Sequence, residues 1–278
     1  MTPLPGRLVL LGHPVSHSLS PVFQNAALDA AGIGMRYEAL DTPPGLLHVT
    51  LDEAKADGWV GNVTVPHKES VFARCSEVSP IAKRVGAVNT FRASRHGLVG
   101  HNTDVEGFRE AIEALLGRQP VNLEFGVIGA GGSAAAVLAA IEGWPECKAL
   151  VANRGPDRLH ALVERFSSVA QTSDVDEIAA RADVVVNATS LGLRDEDDLP
   201  IDVRRLANHT AVLDLVYSAR GTRLVREAEK RGLRAADGLS MLVGQGAAAF
   251  EWWFGVPPNR DVMWRSLGRP PSTRSASH

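Results

Sequence analysis

Two serines two positions apart, Ser18 and Ser20, stand directly before Pro21 at the start of a helical stretch. Two hydroxyls beside the free N–H groups and the positive dipole end of a helix make a neutral site for a small carboxylate. Ser20 alone is explained as the N-cap of this helix, with Pro21 as its first residue. Capping does not account for Ser18, so we expect the pair to bind a ligand.

An amine and a carboxylate follow at later strand ends. Lys68 closes the run Asn62-Val63-Thr64-Val65-Pro66-His67-Lys68, and Asp104 closes Gly100-His101-Asn102-Thr103-Asp104. A lysine at the mouth of a cleft holds an anion, or exchanges protons near neutrality when burial favours its neutral form. The alternatives are a solvated lysine and an aspartate that caps a helix. Together with Gly86-Ala87-Val88-Asn89-Thr90, these residues offer hydroxyls, amides, one ammonium and one carboxylate, a set that suits a small polyol acid.

A glycine-rich turn, Gly129-Ala130-Gly131-Gly132-Ser133-Ala134, separates a predicted strand from a predicted helix. This is the GxGxxA form of the dinucleotide fingerprint, in which the glycines allow a tight turn and close approach of the pyrophosphate. The helix N-terminus supplies free N–H groups for the phosphates. The alternative is a strand-to-helix turn without a ligand.

The end of the following strand favours NADP over NAD. An NAD site usually places a carboxylate about 20 residues after the glycines, where it binds the adenosine ribose. Here the strand ends in Asn153 and Arg154, and Arg158 follows. Guanidinium groups suit a 2′-phosphate, although both arginines could equally be solvated charges at a helix start.

The elements that must position these residues alternate between short β-branched runs and alanine-rich amphipathic runs. This alternation predicts an α/β protein with parallel sheets and crossover helices. In the first part we expect strands at 7–11, 36–40, 61–65, 90–93 and 98–100, with a helix from 20 to about 31. In the second part we expect strands at 123–128, 149–152, 183–187 and 212–215, alternating with helices at about 133–143, 156–166, 175–180 and 222–231, and a last helix at 240–254.

Composition excludes several classes of protein. With 29 Lys and Arg against 32 Asp and Glu, the 278-residue chain has no basic excess for nucleic acid. No apolar run approaches the length of a membrane span, so we expect no membrane partner. Cys75 and Cys147 form no CxxC pattern, and no metal site is expected. We therefore expect a cytoplasmic protein of two domains that binds small molecules.

The chain is similar to the shikimate dehydrogenase family. The resemblance runs in order through almost the whole sequence, in the motifs His17-Ser-Leu-Ser-Pro21, Asn62-Val-Thr-Val-Pro-His-Lys68, Gly86-Ala-Val-Asn-Thr90, Asn102-Thr-Asp104, Gly129-Ala-Gly-Gly132, Asn153-Arg154, Asn187-Ala-Thr-Ser190, Asp214-Leu-Val-Tyr217 and Gly238-Leu-Ser-Met-Leu-Val-Gly-Gln245. It implies a substrate-binding domain at 1–103 and 239–278, to which the C-terminal helices return, and an NADP-binding Rossmann domain at 104–238.

The resemblance also implies an activity and the residues that carry it. The protein would be an NADP-dependent oxidoreductase of aromatic amino acid and chorismate biosynthesis that reduces 3-dehydroshikimate to shikimate, with Lys68 and Asp104 as its catalytic pair. Ser18 and Ser20 would hold the shikimate carboxylate, and the remaining substrate contacts would be Thr64, Asn89, Tyr217 and Gln245. The cofactor contacts would be Gly129, Ala130, Gly131, Gly132, Ser133, Asn153, Arg154, Arg158, Leu215 and Gly238.

Two departures from the family pattern leave alternatives open. Gln24 stands where members often have histidine, and Gly155 replaces a frequent threonine, so discrimination against NAD is expected to be weaker. A quinate or aminoshikimate dehydrogenase of the same superfamily is one alternative, and a non-catalytic NADP-binding regulator is another. Lys68 is either the proton carrier or a positioning group, and the sequence leaves the oligomeric state open, with a homodimer as one option.

Overall fold

The computed structural model describes residues 4–194, 196–218 and 220–269. The chain forms two compact units. The first contains the residues up to Thr103 together with those from Gln245 onwards, and the second runs from Asp104 to Gly244. The first unit is therefore built from both ends of the sequence, while the second is continuous. The assignment of 1–103 with 239–278 to substrate and of 104–238 to cofactor stays a prediction.

The first unit contains a mixed six-stranded sheet. Its strands are β1 (Leu8–Gly12), β2 (Tyr37–Asp41), β3 (Val60–Val63), β4 (Glu77–Val78), β5 (Thr90–Ser94) and β6 (Gly97–His101), in the spatial order β2-β1-β3-β5-β6-β4. β1 is parallel to β2 and β3, whereas β5 is antiparallel to both β3 and β6. The expectation of a parallel sheet is wrong here, because only Arg95 and His96 join β5 to β6 and so short a connection requires an antiparallel pair.

Helices from both ends of the chain cover this sheet. They are α1 (Ser20–Ala30), α2 (Leu47–Asp57), α3 (Lys68–Phe72), α4 (Pro80–Val85), the last part of α10 (Leu239–Phe254), and α11 (Arg260–Ser266). Apolar side chains of the sheet and of α2, such as Val9, Phe91 and Leu51, are at most 2% exposed and form one core. α11 packs against α1, so the C-terminal helices return to the first unit as expected.

The second unit contains an all-parallel six-stranded sheet with helices between its strands. Its strands are β7 (Glu124–Ile128), β8 (Lys148–Ala152), β9 (Ala170–Thr172), β10 (Val184–Asn187), β11 (Ala211–Asp214) and β12 (Ala235–Ala236), in the order β12-β11-β10-β7-β8-β9. The helices are α5 (Asp104–Leu116), α6 (Gly132–Ile141), α7 (Pro156–Arg165), α8 (Val175–Arg181) and α9 (Arg223–Lys230). This is the doubly wound order of a Rossmann sheet, whose switch point lies between β7 and β10.

Two further features bear on the expectations about membrane spans and metal sites. Within the described ranges, every helix is too short or too polar to cross a lipid bilayer. Among those same residues, no three His, Cys, Asp or Glu side chains are arranged to hold a metal ion.

Candidate active site

Four chain segments meet at one edge of the first sheet. β1 and β3 are parallel and end there, at Gly12 and Val63. Because β5 is antiparallel to β3, its first residue, Thr90, lies at the same edge, paired with Asn62. β6 ends at that edge too, since His101 pairs with Thr90. The loops that carry Ser18, Thr64 to Lys68, Asn89 and Thr103 all start or finish here.

The loop after β1 carries the two serines. The backbone N–H of Ser18 donates to the Val15 carbonyl at 3.0 Å, and the Ser18 hydroxyl accepts from the backbone N–H of Ser20 at 3.2 Å. The expectation that Ser20 caps α1 is wrong, because Leu19 already has helical backbone angles and Ser20 is the first helical residue. Ser18 thus provides the hydroxyl at the helix start, with Ser20 buried behind it.

The loop after β3 leads to Lys68. The Thr64 N–H donates to the Leu11 carbonyl at 2.8 Å, which keeps this loop against the end of β1. His67 is buried, and its Nε2 donates to the Thr42 carbonyl at 2.6 Å. Lys68 is the first residue of α3 and is partly buried, and its carbonyl accepts from the Val88 N–H at 3.0 Å. The amine is therefore attached to a backbone that is fixed beside the Asn89 loop.

Asn89 is the centre of a buried hydrogen-bond network. Its Nδ2 donates to the Thr103 hydroxyl at 2.9 Å and to Oε1 of Gln245 at 3.2 Å, and its Oδ1 accepts from the Thr103 N–H at 2.8 Å. Its carbonyl accepts from Nδ2 of Asn62 at 3.1 Å, and Oδ1 of Asn62 accepts from the Tyr37 hydroxyl at 2.8 Å. Gln245, from the C-terminal segment, is thus brought to the sheet edge. Sequence reasoning gave no role to Tyr37, Asn62 or Thr103.

Asp104 directly follows Thr103 in the chain. It is the first residue of α5, at the start of the second unit, and is only 4% exposed. The backbone of Asp104 is therefore adjacent to Thr103, whose hydroxyl and N–H are hydrogen-bonded to Asn89. Gln24, which departs from the family pattern, is buried in the first unit, and its Nε2 donates to the Gly246 carbonyl at 2.9 Å.

The second unit presents the glycine turn at the end of β7. Gly129 has a φ of 121°, which favours glycine, and a Cβ there would lie 2.8 Å from the carbonyl oxygen of Ala188. A Cβ on Gly131 would meet no protein atom within 4 Å, so the space beside it is open. Gly131 precedes α6, whose first turn, with Gly132 and Ser133, has no acidic residue. A partly exposed helix start with open space beside it fits a pyrophosphate.

The residues after β8 and β11 extend this site. Nδ2 of Asn153 donates to the Gly155 carbonyl at 2.9 Å, and Arg154 and Arg158 are exposed around the start of α7. After β11 come Leu215 and Tyr217, both partly buried. Gly238 must be glycine because a Cβ would lie 2.2 Å from the Leu215 carbonyl oxygen. Ala130 is partly buried in the glycine turn.

One buried carboxylate in this unit was missed from the sequence. Asp214, the last residue of β11, is 0% exposed. Burial raises its pKa to about 6, while hydrogen bonds from Thr222, Val216 and Asn187 oppose this rise. The motif Asp214-Leu-Val-Tyr217 carried no signal of burial, because an aspartate at a strand end is more often exposed.

The predicted residues thus fall into two sets, one in each unit, while Asp104 and Tyr217, predicted for catalysis and for the substrate, lie in the second unit. The sheet edge of the first unit brings together Ser18, Ser20, Thr64, Lys68, Asn89 and Gln245. The carboxyl ends of β7, β8, β11 and β12 carry the residues predicted for the cofactor. The second set fits a dinucleotide with a phosphorylated ribose. The glycine turn leaves open space beside Gly131, and the next strand is followed by the exposed Arg154 and Arg158 rather than by a carboxylate.

Three family models match this chain. The model described as "Shikimate dehydrogenase substrate binding domain" matches residues 10–91. The model "Shikimate / quinate 5-dehydrogenase" matches residues 118–193, and "Shikimate 5'-dehydrogenase C-terminal domain" matches residues 238–267. Together they cover parts of both compact units.

Individual proteins are similar over nearly the full chain. A shikimate dehydrogenase (NADP(+)) from Thermus thermophilus is 42% identical over 268 residues, covering 95% of this chain and 98% of its own length. A crystal structure of shikimate 5-dehydrogenase from another strain of Thermus thermophilus, in complex with NADP(H) and shikimate, is 38% identical, with a TM-score of 0.83 and coverage of 94% and 98% of the two chains. A quinate dehydrogenase from Corynebacterium glutamicum in complex with NAD is 29% identical, with a TM-score of 0.84 and coverage of 95% and 98%.

Proposed function

The chain belongs to the shikimate dehydrogenase family, and we propose which of its residues perform the family's reaction, the reversible NADP-dependent reduction of 3-dehydroshikimate to shikimate. The activity is shikimate dehydrogenase activity within the shikimate pathway, and NADP is its cofactor. The family, fold, activity and cofactor expected from the sequence are thereby confirmed. The individual site residues are our proposal.

The hydrogen-bond network at Asn89 is the observation that supports the proposal most strongly. Asn89, Thr103 and Gln245 come from distant parts of the sequence and fix one another's side chains within the first unit. Side chains held in this way can bind ring hydroxyls without the entropic cost of ordering them on binding. We assign Thr64, Asn89 and Gln245 to the substrate hydroxyls.

The carboxylate end of the substrate requires donors without a second negative charge nearby. Ser18 and Ser20 lie at the start of α1, whose first turn has no acidic residue. Hydroxyls and N–H groups at a helix start favour an anion. We assign these serines to the shikimate carboxylate and, from the second unit, Tyr217 to the same group.

The reduced carbonyl needs a proton, and the oxidised alcohol must lose one. Lys68 in its ammonium form gives the proton to the carbonyl oxygen, and as the neutral amine it takes the proton back in the reverse direction. The carboxylate of Asp104 accepts a hydrogen bond from the same hydroxyl and orients it. In this proposal Lys68 is the proton carrier and Asp104 the partner that holds the reacting oxygen.

The second unit holds the cofactor. When bound, NADPH would supply the hydride for reduction, and NADP+ would accept it in the reverse direction. The backbone of Gly129 to Ser133 and the start of α6 bind the pyrophosphate, Asn153, Arg154 and Arg158 bind the adenosine phosphate, and Leu215 and Gly238 contact the nicotinamide. The open space beside Gly131 and the two exposed guanidinium groups support these assignments.

Quinate dehydrogenase activity is a second candidate because the quinate enzyme from Corynebacterium glutamicum shares this fold. Gly155 also lacks the hydroxyl that would help select NADP. Initial rates with shikimate and with quinate, each with NADP and with NAD, separate the two. We expect the highest kcat/KM for shikimate with NADP, and a higher value for quinate with NAD would replace our assignment.

Absorbance of reduced nicotinamide on mixing the protein, shikimate and NADP tests the activity directly. A rise in absorbance that requires all three components supports the assignment. Binding of both ligands without any rise would favour the non-catalytic regulator.

A cytoplasmic location and a homodimer are also proposals. Fractionation of cells that express the chain tests the first, and light scattering of the purified protein tests the second.

A further inference from the structure

Asp214 is a fully buried carboxylate for which the proposed reaction has no use. Its Oδ1 accepts from Nδ2 of Asn187 at 2.8 Å and from the backbone N–H of Val216 at 3.1 Å. The ionised form of a buried carboxylate lowers stability unless something compensates for its burial. Asp214 directly precedes Leu215, which the proposed function assigns to the nicotinamide. The hydrogen bonds of Asp214 therefore bear on the structure of the cofactor site.

Asn187 ends the neighbouring strand β10 and uses both ends of its amide. Besides Asp214, its Nδ2 donates to the Leu191 carbonyl at 2.9 Å. Its Oδ1 accepts from the Thr189 N–H at 3.1 Å and from the Thr189 hydroxyl at 2.7 Å. The Thr189 hydroxyl also accepts from the Leu191 N–H at 3.1 Å. Asn187 therefore fixes the loop 188–191 on one side and Asp214 on the other.

The loop 188–191 packs on the glycine turn. The Ala188 N–H donates to the Ile128 carbonyl at 2.8 Å, at the end of β7. A Cβ on Gly129 would lie 2.8 Å from the Ala188 carbonyl oxygen and 3.2 Å from Cγ2 of Thr189. The loop that Asn187 holds is thus the wall against which the pyrophosphate turn rests.

The loop after β11 is fixed in a similar way. The Leu215 N–H donates to the Asn187 carbonyl at 3.0 Å, and the Val216 carbonyl accepts from the Gly238 N–H at 3.0 Å. Gly238 lies so close to the Leu215 carbonyl that a Cβ atom would not fit between them. The segment assigned to the nicotinamide is therefore tied to the backbone of Asn187 and, through the Val216 N–H, to the side chain of Asp214.

We propose that the Asn187–Asp214 pair is a positioning unit that keeps the pyrophosphate turn at Gly129 and the nicotinamide segment at Leu215 in a fixed relation. Neither side chain needs to touch a reacting atom. The inference rests on the proposed function, since it takes the cofactor assignments of Gly129 and Leu215 as given. A displacement of about 1 Å at a reacting centre costs on the order of 100-fold in rate, so such a support affects turnover as well as binding.

Asp214→Ala tests the positioning role. It removes the acceptor of both the Asn187 and the Val216 bonds. We expect the KM for NADP to rise about tenfold and kcat to fall about tenfold or more, while the KM for shikimate stays within twofold. Asp214→Asn retains an oxygen that can accept both bonds, so it should bring both constants back to within about threefold of the wild type.

Asp183→Ala is the matched control for a general loss of stability. Asp183 precedes β10 at the opposite end of the same sheet, where its Oδ2 accepts from the Glu124 N–H at 2.8 Å. This variant should lower the Tm and leave both KM values and kcat unchanged. If Asp214→Ala behaves in the same way as Asp183→Ala, the positioning role is wrong.

Thr189→Val keeps the inference testable if Asp214→Ala does not fold. Valine has nearly the shape of threonine but lacks the hydroxyl that bonds Asn187 and Leu191. We expect a several-fold rise in the KM for NADP with Thr189→Val and none with Thr189→Ser. Unchanged cofactor binding in Thr189→Val would contradict the inference.

Titration of NADPH fluorescence separates this inference from the proposed function. If the wild-type protein binds NADPH but does not oxidise shikimate, the proposed function fails. The change in NADPH affinity on Asp214→Ala still tests the positioning unit in that case. No change in affinity and none in turnover would overturn the positioning unit alone.

Discussion

The side-chain amide of Asn89 donates to the side-chain oxygen of Gln245 at 3.2 Å, although the two residues are 156 positions apart. This bond sets the orientation of the Gln245 carboxamide. Its oxygen accepts from Asn89, and its nitrogen is the donor end of the same carboxamide. The orientation of the Gln245 carboxamide in the proposed substrate site is thus fixed by a residue of the same unit.

Gln245→Glu is expected to weaken shikimate binding without disturbing the network. Glutamate still accepts from Asn89, but it has no side-chain N–H group and it adds a negative charge. Loss of one good hydrogen bond to a hydroxyl, with a buried group left unpaired, costs about 1–3 kcal/mol. We expect the KM for shikimate to rise at least fivefold and the KM for NADP to stay within twofold, as measured by steady-state kinetics. Equal effects on both KM values would contradict the assignment.

Lys68→Arg distinguishes a proton carrier from a positioning charge. Arginine keeps the positive charge but does not release its proton in proteins. Since general acid–base catalysis contributes about 10²–10⁴-fold, we expect kcat to fall by at least 100-fold in both Lys68→Arg and Lys68→Ala. NADP affinity, measured by NADPH fluorescence, should stay within a few fold. Near-normal turnover in Lys68→Arg would make Lys68 a positioning group.

Gly155→Thr is expected to strengthen the preference for NADP. Gly155 precedes α7 with a φ of −94°, and a Cβ there would have only Nδ2 of Asn153 nearby, at 3.5 Å, so threonine fits without backbone strain. The added hydroxyl can donate to the adenosine phosphate. We expect the ratio of kcat/KM values for NADP and NAD to rise several-fold. Gly155→Val is the control of the same shape, and a similar rise there would remove the hydroxyl as the cause.

Tyr37→Phe removes the hydroxyl that donates to Asn62 at 2.8 Å, in the interior of the first unit. It leaves the buried Oδ1 of Asn62 without this donor, which costs about 1–3 kcal/mol. We expect the Tm to fall by several degrees, measured by differential scanning calorimetry, with a smaller rise in the KM for shikimate. Tyr37→Leu, which also opens a cavity, should lower the Tm further. An unchanged Tm in Tyr37→Phe would show that Asn62 does not depend on this bond.

The free energy of unfolding of Asp214→Asn, relative to that of the wild type, should increase as the pH rises. The pKa of Asp214 is about 6 in the folded protein against 3.8 for an ordinary aspartate, so the folded state holds its proton more tightly than the unfolded state. The wild type therefore loses stability as the pH rises from about 4 to about 6, by up to about 3 kcal/mol. Asparagine has no such loss. Urea unfolding at pH 4.5 and 7 should show a clearly larger advantage of the variant at pH 7, and an equal advantage at both values would contradict the raised pKa.

Four of the six strands of the parallel second unit could be predicted from the sequence, whereas the short strands β9 and β12 were not expected. The predicted strands at 149–152, 183–187 and 212–215 each lie within one residue of β8, β10 and β11. Buried parallel strands appear as continuous apolar runs, and glycine or asparagine ends them. The turn at Gly129 could also be predicted, because its residue types depend on local backbone geometry rather than on distant contacts.

The first unit was less predictable because its distinctive features depend on distant contacts. α2 was not expected, since Val49 and Thr50 obscure its helical pattern, although Leu47, Leu51 and Ala54 are buried at helical spacing. The antiparallel direction of β5 depends on its partners rather than on its own residues. Local sequence also gave no indication of the bonds between Asn89, Asn62 and Gln245, which join segments far apart in the chain.

The discontinuity of the first unit has a consequence for its synthesis. Gln245, Gly246 and α11 join Asn89, Gln24 and α1 only after all of the intervening Rossmann sheet has been translated. A nascent chain paused on the ribosome short of Gln245 contains all residues of the second unit, while its amino-terminal residues still lack their closing partners. Under the proposed assignments, such a chain would bind the nucleotide before it could bind shikimate.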